Sequence, residues 1–189
     1  MKRNTTLLCL IFSLLLLSSC VHKAPSSPLT VGVAWRKDQK AASYVATIKA
    51  LENAGSVVVV LPEVQCEAQP YRENREHSDA YLYFLFDVSP EAAETVKETG
   101  YNEETLRTLL EGIDLIVFPG GEDISPSLYL VPEEEENGWE YYNATRDVSD
   151  YLLMSYALDH DIPVLGICRG MQMLSVVSGA TKIQELGEW

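Results

Sequence analysis

The pentapeptide Gly166-Ile167-Cys168-Arg169-Gly170 carries the strongest chemical signal in the sequence. It follows a short apolar run and precedes a helical pattern, as in a nucleophile elbow with cysteine in place of serine. The two glycines permit a tight turn that holds the sulfur above the carboxyl edge of a sheet. The N-terminus of the following helix favours a thiolate, and the N–H of Arg169 would face an oxyanion formed at an attacked carbonyl. The pattern therefore predicts a nucleophile at Cys168, with a buried structural cysteine as the alternative.

A second glycine-rich segment, Pro119-Gly120-Gly121-Glu122-Asp123, ends a predicted buried strand. Two consecutive glycines at the carboxyl edge of a sheet can turn a bare backbone N–H toward a substrate. Arg146-Asp147 opens the helix that leads into the nucleophile strand. Both features raise the expectation of a catalytic-type site around Cys168.

Hydrophobic patterning predicts an α/β fold whose sheet is parallel at its start. Leu29–Trp35, Ala41–Ala54 and Val57–Leu61 form a predicted strand-helix-strand unit, and the all-apolar Val57–Leu61 is expected to be buried on both faces. Residues 63–101 are interpreted as an insertion, in which Ala80–Val88 is either an extra strand or a packing segment. The remaining predicted elements are strands at Ile113–Phe118 and Ile162–Ile167, and helices at Ser89–Glu98, Glu103–Leu110, Arg146–Asp159 and Arg169–Ser178.

The N-terminus has the pattern of a targeting segment. Two basic residues precede the apolar run Leu7–Leu17, which is shorter than the roughly 20 residues of a membrane-spanning helix. Small residues then lead directly into Cys20, as in a bacterial lipobox. The pattern predicts a lipoprotein signal peptide at residues 1–19, a lipid on Cys20 and a polar tether over residues 20–28. We expect an exported protein, lipid-anchored in the bacterial cell envelope; an ordinary signal peptide with an incidental cysteine is the alternative.

Charge and cysteine content limit the classes of partner and compartment. The formal net charge of −14 disfavours nucleic acid as a partner, because an acidic surface repels phosphate backbones. No metal or cofactor motif is present, so we expect neither. If Cys9 leaves with the signal peptide and Cys20 is lipidated, Cys66 and Cys168 remain as thiols, which an exported protein could also join in a disulfide.

The two glycine-rich motifs and their order resemble the class I glutamine amidotransferase superfamily. More narrowly, they resemble the peptidase C26 branch, typified by gamma-glutamyl-gamma-aminobutyrate hydrolases. The branch carries P-G-G-x-D-x-x-P-x-x-Y, then R-D, then L-G-I-C-R-G-x-Q, which residues 119–129, 146–147 and 165–172 match. The resemblance covers about residues 28–185 apart from the insertion, and it implies a three-layer, flavodoxin-like, mostly parallel sheet in residues 29–189.

The resemblance also implies roles for individual residues. Cys168 would attack the carbon of a gamma-glutamyl amide and form a thioester that water hydrolyses. The backbone N–H groups of Gly121 and Arg169 would form the oxyanion hole, and Gly120 and Gln172 would line the substrate site. The implied partner is a small-molecule gamma-glutamyl amide or a similar compound.

A base for the cysteine is missing from this pattern. The family has an H-x-E motif downstream of its cysteine, whereas the histidines here are His22, His77 and His160, all before Cys168. His160 is predicted at the opposite end of the nucleophile strand, roughly 16–20 Å from the sulfur. We therefore expect the fold to lack its C-terminal part, and the chain alone to have little or no activity.

Three interpretations remain at this stage. The first is a C26-type hydrolase whose downstream half is lost from the sequence or supplied by a partner chain. The second is a non-catalytic envelope lipoprotein, either a pseudoenzyme or a binding module, that keeps the N-terminal half of the amidotransferase-like fold. The third is another α/β hydrolase with a cysteine elbow, such as a dienelactone hydrolase type, but this class does not explain the P-G-G-x-D motif.

Overall fold

The computed structural model describes residues 27–67, 85–129 and 142–181. The predicted signal peptide, Cys20, most of the tether, His22 and His77 lie outside the described residues. In the described ranges, no helix combines the length and apolar character needed to cross a bilayer.

The described elements alternate between strands and helices along most of the chain. In chain order they are β1 (Thr30–Val33), α1 (Ala42–Asn53), β2 (Val57–Val60), β3 (Leu85–Phe86), α2 (Pro90–Thr99), α3 (Glu103–Leu109), β4 (Leu115–Phe118), a 3-10 turn (Pro126–Leu128), β5 (Tyr142–Asn143), α4 (Ala144–Asp159), β6 (Val164–Gly166) and α5 (Arg169–Val177). The predicted strands and helices are present with boundaries shifted by a few residues, whereas β5 and the 3-10 turn were not predicted.

In the part of the chain that the structure describes, the main sheet has four strands in the order β2-β1-β4-β6, and every neighbouring pair is parallel. A separate pair, β3 and β5, is also parallel. The predicted α/β fold with a mostly parallel sheet is therefore confirmed.

The strand order reverses between β1 and β4. From β1 the chain moves outward to β2 through α1, and from β4 it moves outward the other way to β6 through α4. Because such crossovers are right-handed, α1 and α4 lie on opposite faces of the sheet, which gives three layers. In an open α/β sheet, ligands bind at the carboxyl ends of the strands where the order reverses. The topology thus predicts a ligand-binding site at the segments that follow β1 and β4.

The hydrophobic core is formed by the sheet centre with α2, α4 and α5. Its fully buried members include Ile116 and Phe118 of β4, Leu152 of α4 and Met173 of α5. Part of the predicted insertion belongs to this core, because α2 buries Ala92, Ala93 and Val96. The start of α2 follows the predicted cap, since the Ser89 hydroxyl accepts a hydrogen bond from the Ala92 N–H at 3.2 Å.

The prediction that Val57–Leu61 is buried on both faces is wrong. In β2, Val57 is 50% exposed, Val59 38% and Val60 39%; only Leu61, just after the strand, is buried. The reason is topological, because β2 is an edge strand and α1 buries only Tyr44. A run of β-branched residues does not by itself separate an edge strand from a central one.

Candidate functional site

Cys168 occupies the turn between β6 and α5, where it is the N-cap residue of the helix. Its backbone has φ 52° and ψ −107°, in the positive-φ region that non-glycine residues rarely adopt. Such a strained backbone persists only where the surrounding structure stabilises it, and it is most common at functional sites. The side chain is exposed. The strand-to-helix elbow predicted from the sequence is therefore present, and it presents the sulfur to solvent.

Both glycines of the pentapeptide are required sterically. A Cβ built on Gly166 would lie 2.6 Å from the backbone of Gly170 and Met171. A Cβ built on Gly170 would lie 2.7 Å from the Cβ of Phe118, closer than real Cβ contacts. Gly166 thus allows the strand and the helix of the elbow to lie close together, and Gly170 allows the elbow to pack against β4.

The predicted oxyanion segment lies beside the cysteine. A Cβ built on Gly120 would be 3.4 Å from the Cβ of Cys168, and the N–H of Ile167 donates to the carbonyl oxygen of Phe118 at 3.0 Å. The N–H groups of Gly121 and Arg169 donate no hydrogen bond to any acceptor in the described ranges. Arg169 is the first helical residue of α5, a position whose N–H has no partner inside a helix.

Two arginines hold the segment from its other side. Arg36, which follows β1, donates from Nη1 to the carbonyl oxygen of Gly120 at 3.2 Å and from Nη2 to Glu122 at 2.9 Å. Arg146, in the first turn of α4, donates from Nη1 to Glu122 at 2.6 Å. Its Nη2 donates to the carbonyl oxygens of Pro119, at 2.9 Å, and Gly120, at 3.3 Å. We call Arg36, Arg146 and Glu122 the arginine clamp.

The side chain of Arg169 forms a second buried ion group. Its guanidinium donates to Asp147 through Nη2 and to Asp150 through Nη1, and all three side chains are buried. Asp147 also accepts from Ser125, from the backbone N–H at 3.0 Å and from Oγ at 2.5 Å. Nε of Arg146 lies 3.5 Å from Asp150, so this group connects to the arginine clamp. The buried ions thus link the elbow, the Gly120–Gly121 segment and the start of α4.

Burial and ion pairing shift the pKa values of these groups in opposite directions. Burial raises the pKa of Glu122, but its own backbone N–H and the charges of Arg146 and Arg36 outweigh burial, so that pKa lies below its usual value. Burial lowers the pKa of Arg146. Burial raises the pKa of Asp147, against the opposing influence of Arg169 and Ser125. At neutral pH Glu122 is therefore ionised and both oxygens can accept from the clamp.

The sequence analysis noted Arg146-Asp147 but missed Arg36, Glu122 and Ser125 as members of the site. A usable signal was present for Arg36, because a charged residue directly after a central parallel strand lies at the ligand-binding edge. Gln172, predicted to line the substrate site, lies half-buried on the first turn of α5, where its N–H donates to the carbonyl oxygen of Cys168 at 3.2 Å.

The other candidate groups lie elsewhere. His160 follows the last residue of α4, at the opposite end of β6 from Cys168, and its Nε2 is 3.1 Å from Glu103. Cys66 is buried and Cys168 exposed, and both thiols are free, so the disulfide that the sequence left open is absent. A cavity of about 340 Å³ after β2 is lined by Cys66 among others, but not by Cys168. Within the described ranges, no cluster of His, Cys, Asp and Glu could hold a metal ion.

Comparison with known proteins assigns the chain to a family. The peptidase C26 family model matches residues 95–189, which include the Gly120–Gly121 segment and the elbow. The chain belongs to the peptidase C26 family.

Individual relatives are consistent with this assignment. A glutamine amidotransferase-like protein of Rickettsia prowazekii is 42% identical over 90 residues, which is 47% of this chain and 31% of the relative. Protein NtpR of Enterococcus hirae is 37% identical over 83 residues, 44% of this chain and 34% of the relative. The gamma-glutamyl-gamma-aminobutyrate hydrolase of Escherichia coli O157:H7 is 36% identical over 84 residues, 44% of this chain and 32% of the relative. The matched part of the chain spans about a third of the length of each of these relatives.

Proposed function

We propose that this chain carries the nucleophile of a cysteine hydrolase that cleaves gamma-glutamyl or related amide C–N bonds. The observation that carries the proposal is the exposed, strained Cys168 at the elbow, with the Gly120–Gly121 segment beside it. Membership of the peptidase C26 family and similarity to a protein named as a gamma-glutamyl-gamma-aminobutyrate hydrolase support the substrate class.

The proposed reaction has two steps. The thiolate of Cys168 attacks the amide carbonyl carbon, a C–S bond forms, and the carbonyl π electrons move to oxygen. The resulting oxyanion accepts hydrogen bonds from the N–H groups of Gly121 and Arg169. When it collapses, the C–N bond breaks and the amine leaves with the proton that the base took from the thiol; water then hydrolyses the thioester.

Both steps require a base, and the described residues do not bring one to Cys168. His160, the one histidine in these ranges, lies at the far end of β6 and bonds to Glu103. The proposal therefore assigns the base to a residue outside these ranges or in a partner chain. Since loss of a base costs several powers of ten in rate, turnover by this chain alone is predicted to be very slow.

Trapping the covalent intermediate tests the proposal without requiring rapid turnover. The full chain in detergent is incubated with gamma-glutamyl para-nitroanilide, and the peptide containing Cys168 is examined by mass spectrometry. We expect a gamma-glutamyl thioester on Cys168 with release of no more than about one equivalent of para-nitroaniline, because hydrolysis of the thioester also needs the base.

Two controls make the outcome decisive. Cys168→Ala should release no para-nitroaniline above the uncatalysed rate, and the alpha-glutamyl para-nitroanilide should react more slowly than the gamma isomer. Absence of any adduct on Cys168 after prolonged incubation at a pH above about 8.5, where a free thiol ionises without a base, would contradict the proposal. That result would favour the alternative, a non-catalytic envelope lipoprotein that keeps the amidotransferase-like fold as a pseudoenzyme or binding module.

We also propose that the protein is exported and held at a membrane of the bacterial cell envelope by a lipid on Cys20. The support is the sequence pattern, in which a basic start, a short apolar run and small residues precede Cys20. A Cys20→Ser variant should fail to incorporate radiolabelled palmitate in a bacterial host and should leave the membrane fraction. Unchanged incorporation would refute this assignment.

A further inference from the structure

We infer that Arg36 and Arg146 are positioning residues that fix the orientation of the Gly120–Gly121 peptide, so that the Gly121 N–H faces the oxyanion formed at Cys168. This inference rests on the proposed function, since it concerns the oxyanion site of that reaction. The observation behind it is that the carbonyl oxygen of Gly120 accepts hydrogen bonds from both arginines, at 3.2 and 3.3 Å.

Because a trans peptide is planar, fixing the direction of the Gly120 C=O also fixes the direction of the Gly121 N–H. The C=O of Gly120 and the N–H of Gly121 belong to one planar unit, in which they point in opposite directions. Because the carbonyl is directed at the arginines, the N–H is directed away from them. A Cβ built on Gly120 would lie 3.4 Å from the Cβ of Cys168, so this peptide is adjacent to the cysteine.

Without the arginines, little in the backbone would favour this orientation. Consecutive glycines can adopt both positive and negative φ. Because neither glycine has a side chain, the peptide group between them can rotate without a steric clash from Gly120 or Gly121. A rotated peptide would present its carbonyl oxygen, instead of the N–H, toward the developing negative charge. Charge-assisted hydrogen bonds are stronger than neutral ones, so two guanidinium donors on one carbonyl strongly oppose such a rotation.

The rest of the site supports this function of the arginines. Glu122 binds one arginine with each carboxylate oxygen, at 2.9 and 2.6 Å, which fixes their mutual position. The Nη1 of Arg146 occupies the place where a Cβ on residue 121 would lie, and its Cζ would be only 3.1 Å from that Cβ. The absence of a side chain at Gly121 therefore leaves room for the guanidinium of Arg146.

Two reagents with different transition states test the inference on the full chain in detergent. Para-nitrophenyl acetate acylates a thiol through a tetrahedral oxyanion, whereas iodoacetamide alkylates it by direct displacement without one. Both rates are measured at Cys168 by peptide mass spectrometry, and their ratio reports stabilisation of the oxyanion. For Arg36→Gln we expect the acylation rate to fall about 10- to 100-fold while the alkylation rate stays within about twofold, because losing one oxyanion donor costs on the order of 100- to 1,000-fold and a misaligned donor less.

Matched variants separate positioning from general damage. Arg36→Lys keeps the charge but cannot bridge Gly120 and Glu122 as a planar fork does, so it should restore only part of the ratio. Arg107→Gln removes an exposed arginine paired with Glu104 and should leave both rates unchanged. The alkylation rate at Cys168 shows in each variant whether the elbow has kept its fold.

The outcomes distinguish this inference from the proposed function. If the ratio of acylation to alkylation at Cys168 is no higher in the native chain than in the urea-unfolded chain, the fold stabilises no oxyanion there, and both proposals are wrong. A high native ratio that survives both Arg36→Gln and Arg146→Lys would overturn this inference alone. A selective loss of acylation in Arg36→Gln, with partial recovery in Arg36→Lys, would support it.

Discussion

Replacing Arg169 with methionine is expected to lower the free energy of unfolding by about 3–5 kcal/mol, because it removes one partner from a buried ion group. The Arg169 side chain is almost fully buried, and its guanidinium binds both Asp147 and Asp150. Methionine fills a similar volume but donates no hydrogen bond. Asp147 would keep only Ser125 as a donor, and Asp150 would keep only the distant Nε of Arg146.

Urea unfolding followed by circular dichroism measures this change. Arg107→Met provides the matched control, since Arg107 and Glu104 form an exposed pair whose side chains are 62% and 74% accessible. Exposed pairs contribute at most about 1 kcal/mol, so this variant should unfold at nearly the wild-type urea concentration. Combining Arg169→Met with Asp147→Asn and Asp150→Asn should recover part of the loss, because no uncompensated carboxylate then remains. Equal, small losses for Arg169→Met and Arg107→Met would contradict a structural role for the buried ions.

The sequence predicted the elbow well because its determinants are local. Gly166, Cys168 and Gly170 stand at a strand-to-helix junction that periodicity alone locates, and the structure shows the expected steric need for both glycines. The parallel start of the sheet was equally predictable, because a strand-helix-strand unit of this length permits little else.

The contacts among the buried ions could not be predicted in the same way. Arg36 and Glu122 are far apart in sequence, and only the adjacency of β1 and β4 brings them together. Because Arg169 follows the nucleophile, its backbone N–H was predicted to contribute to the oxyanion hole. The contacts of its side chain with Asp147 and Asp150 depend on how α4 packs against α5. A charged residue in sequence is expected at the surface. Here pairing between Arg169 and two aspartates allows all three to be buried.

Burial of the edge strand β2 was a second point that sequence could not decide. Apolar runs marked both β2 and β6 as strands, and among the described residues these two form the edges of the main sheet. Leu165 and Ile167, in and just after β6, are 46% and 39% exposed. Which strand ends up at an edge depends on the order of strands, and that order is a property of the whole fold.

The second large effect is expected in the reactivity of the two described cysteines. Cys168 is exposed at a strained turn, whereas Cys66 is 1% exposed and belongs to the hydrophobic core. A buried thiol reacts only when the fold opens locally, and opening of core segments costs free energy approaching that of global unfolding. We therefore expect iodoacetamide to modify Cys168 at least about a hundredfold faster than Cys66 in the folded chain.

The contrast should depend on the fold. In urea both thiols are solvated, so their rates should become similar. Gly170→Ala introduces a Cβ that would lie 2.7 Å from the Cβ of Phe118, and it should shrink the contrast by disrupting the elbow. Gly120→Ala, whose Cβ would meet Cys168 at an ordinary 3.4 Å, should preserve most of it.

The most direct test of the central claim, that Cys168 is a presented nucleophile, is this pair of alkylation rates in the native full chain, read at each cysteine by peptide mass spectrometry. The account predicts rapid modification of Cys168, protection of Cys66, and loss of the difference in urea. Protection of Cys168, or equal rates at both cysteines without urea, would contradict it.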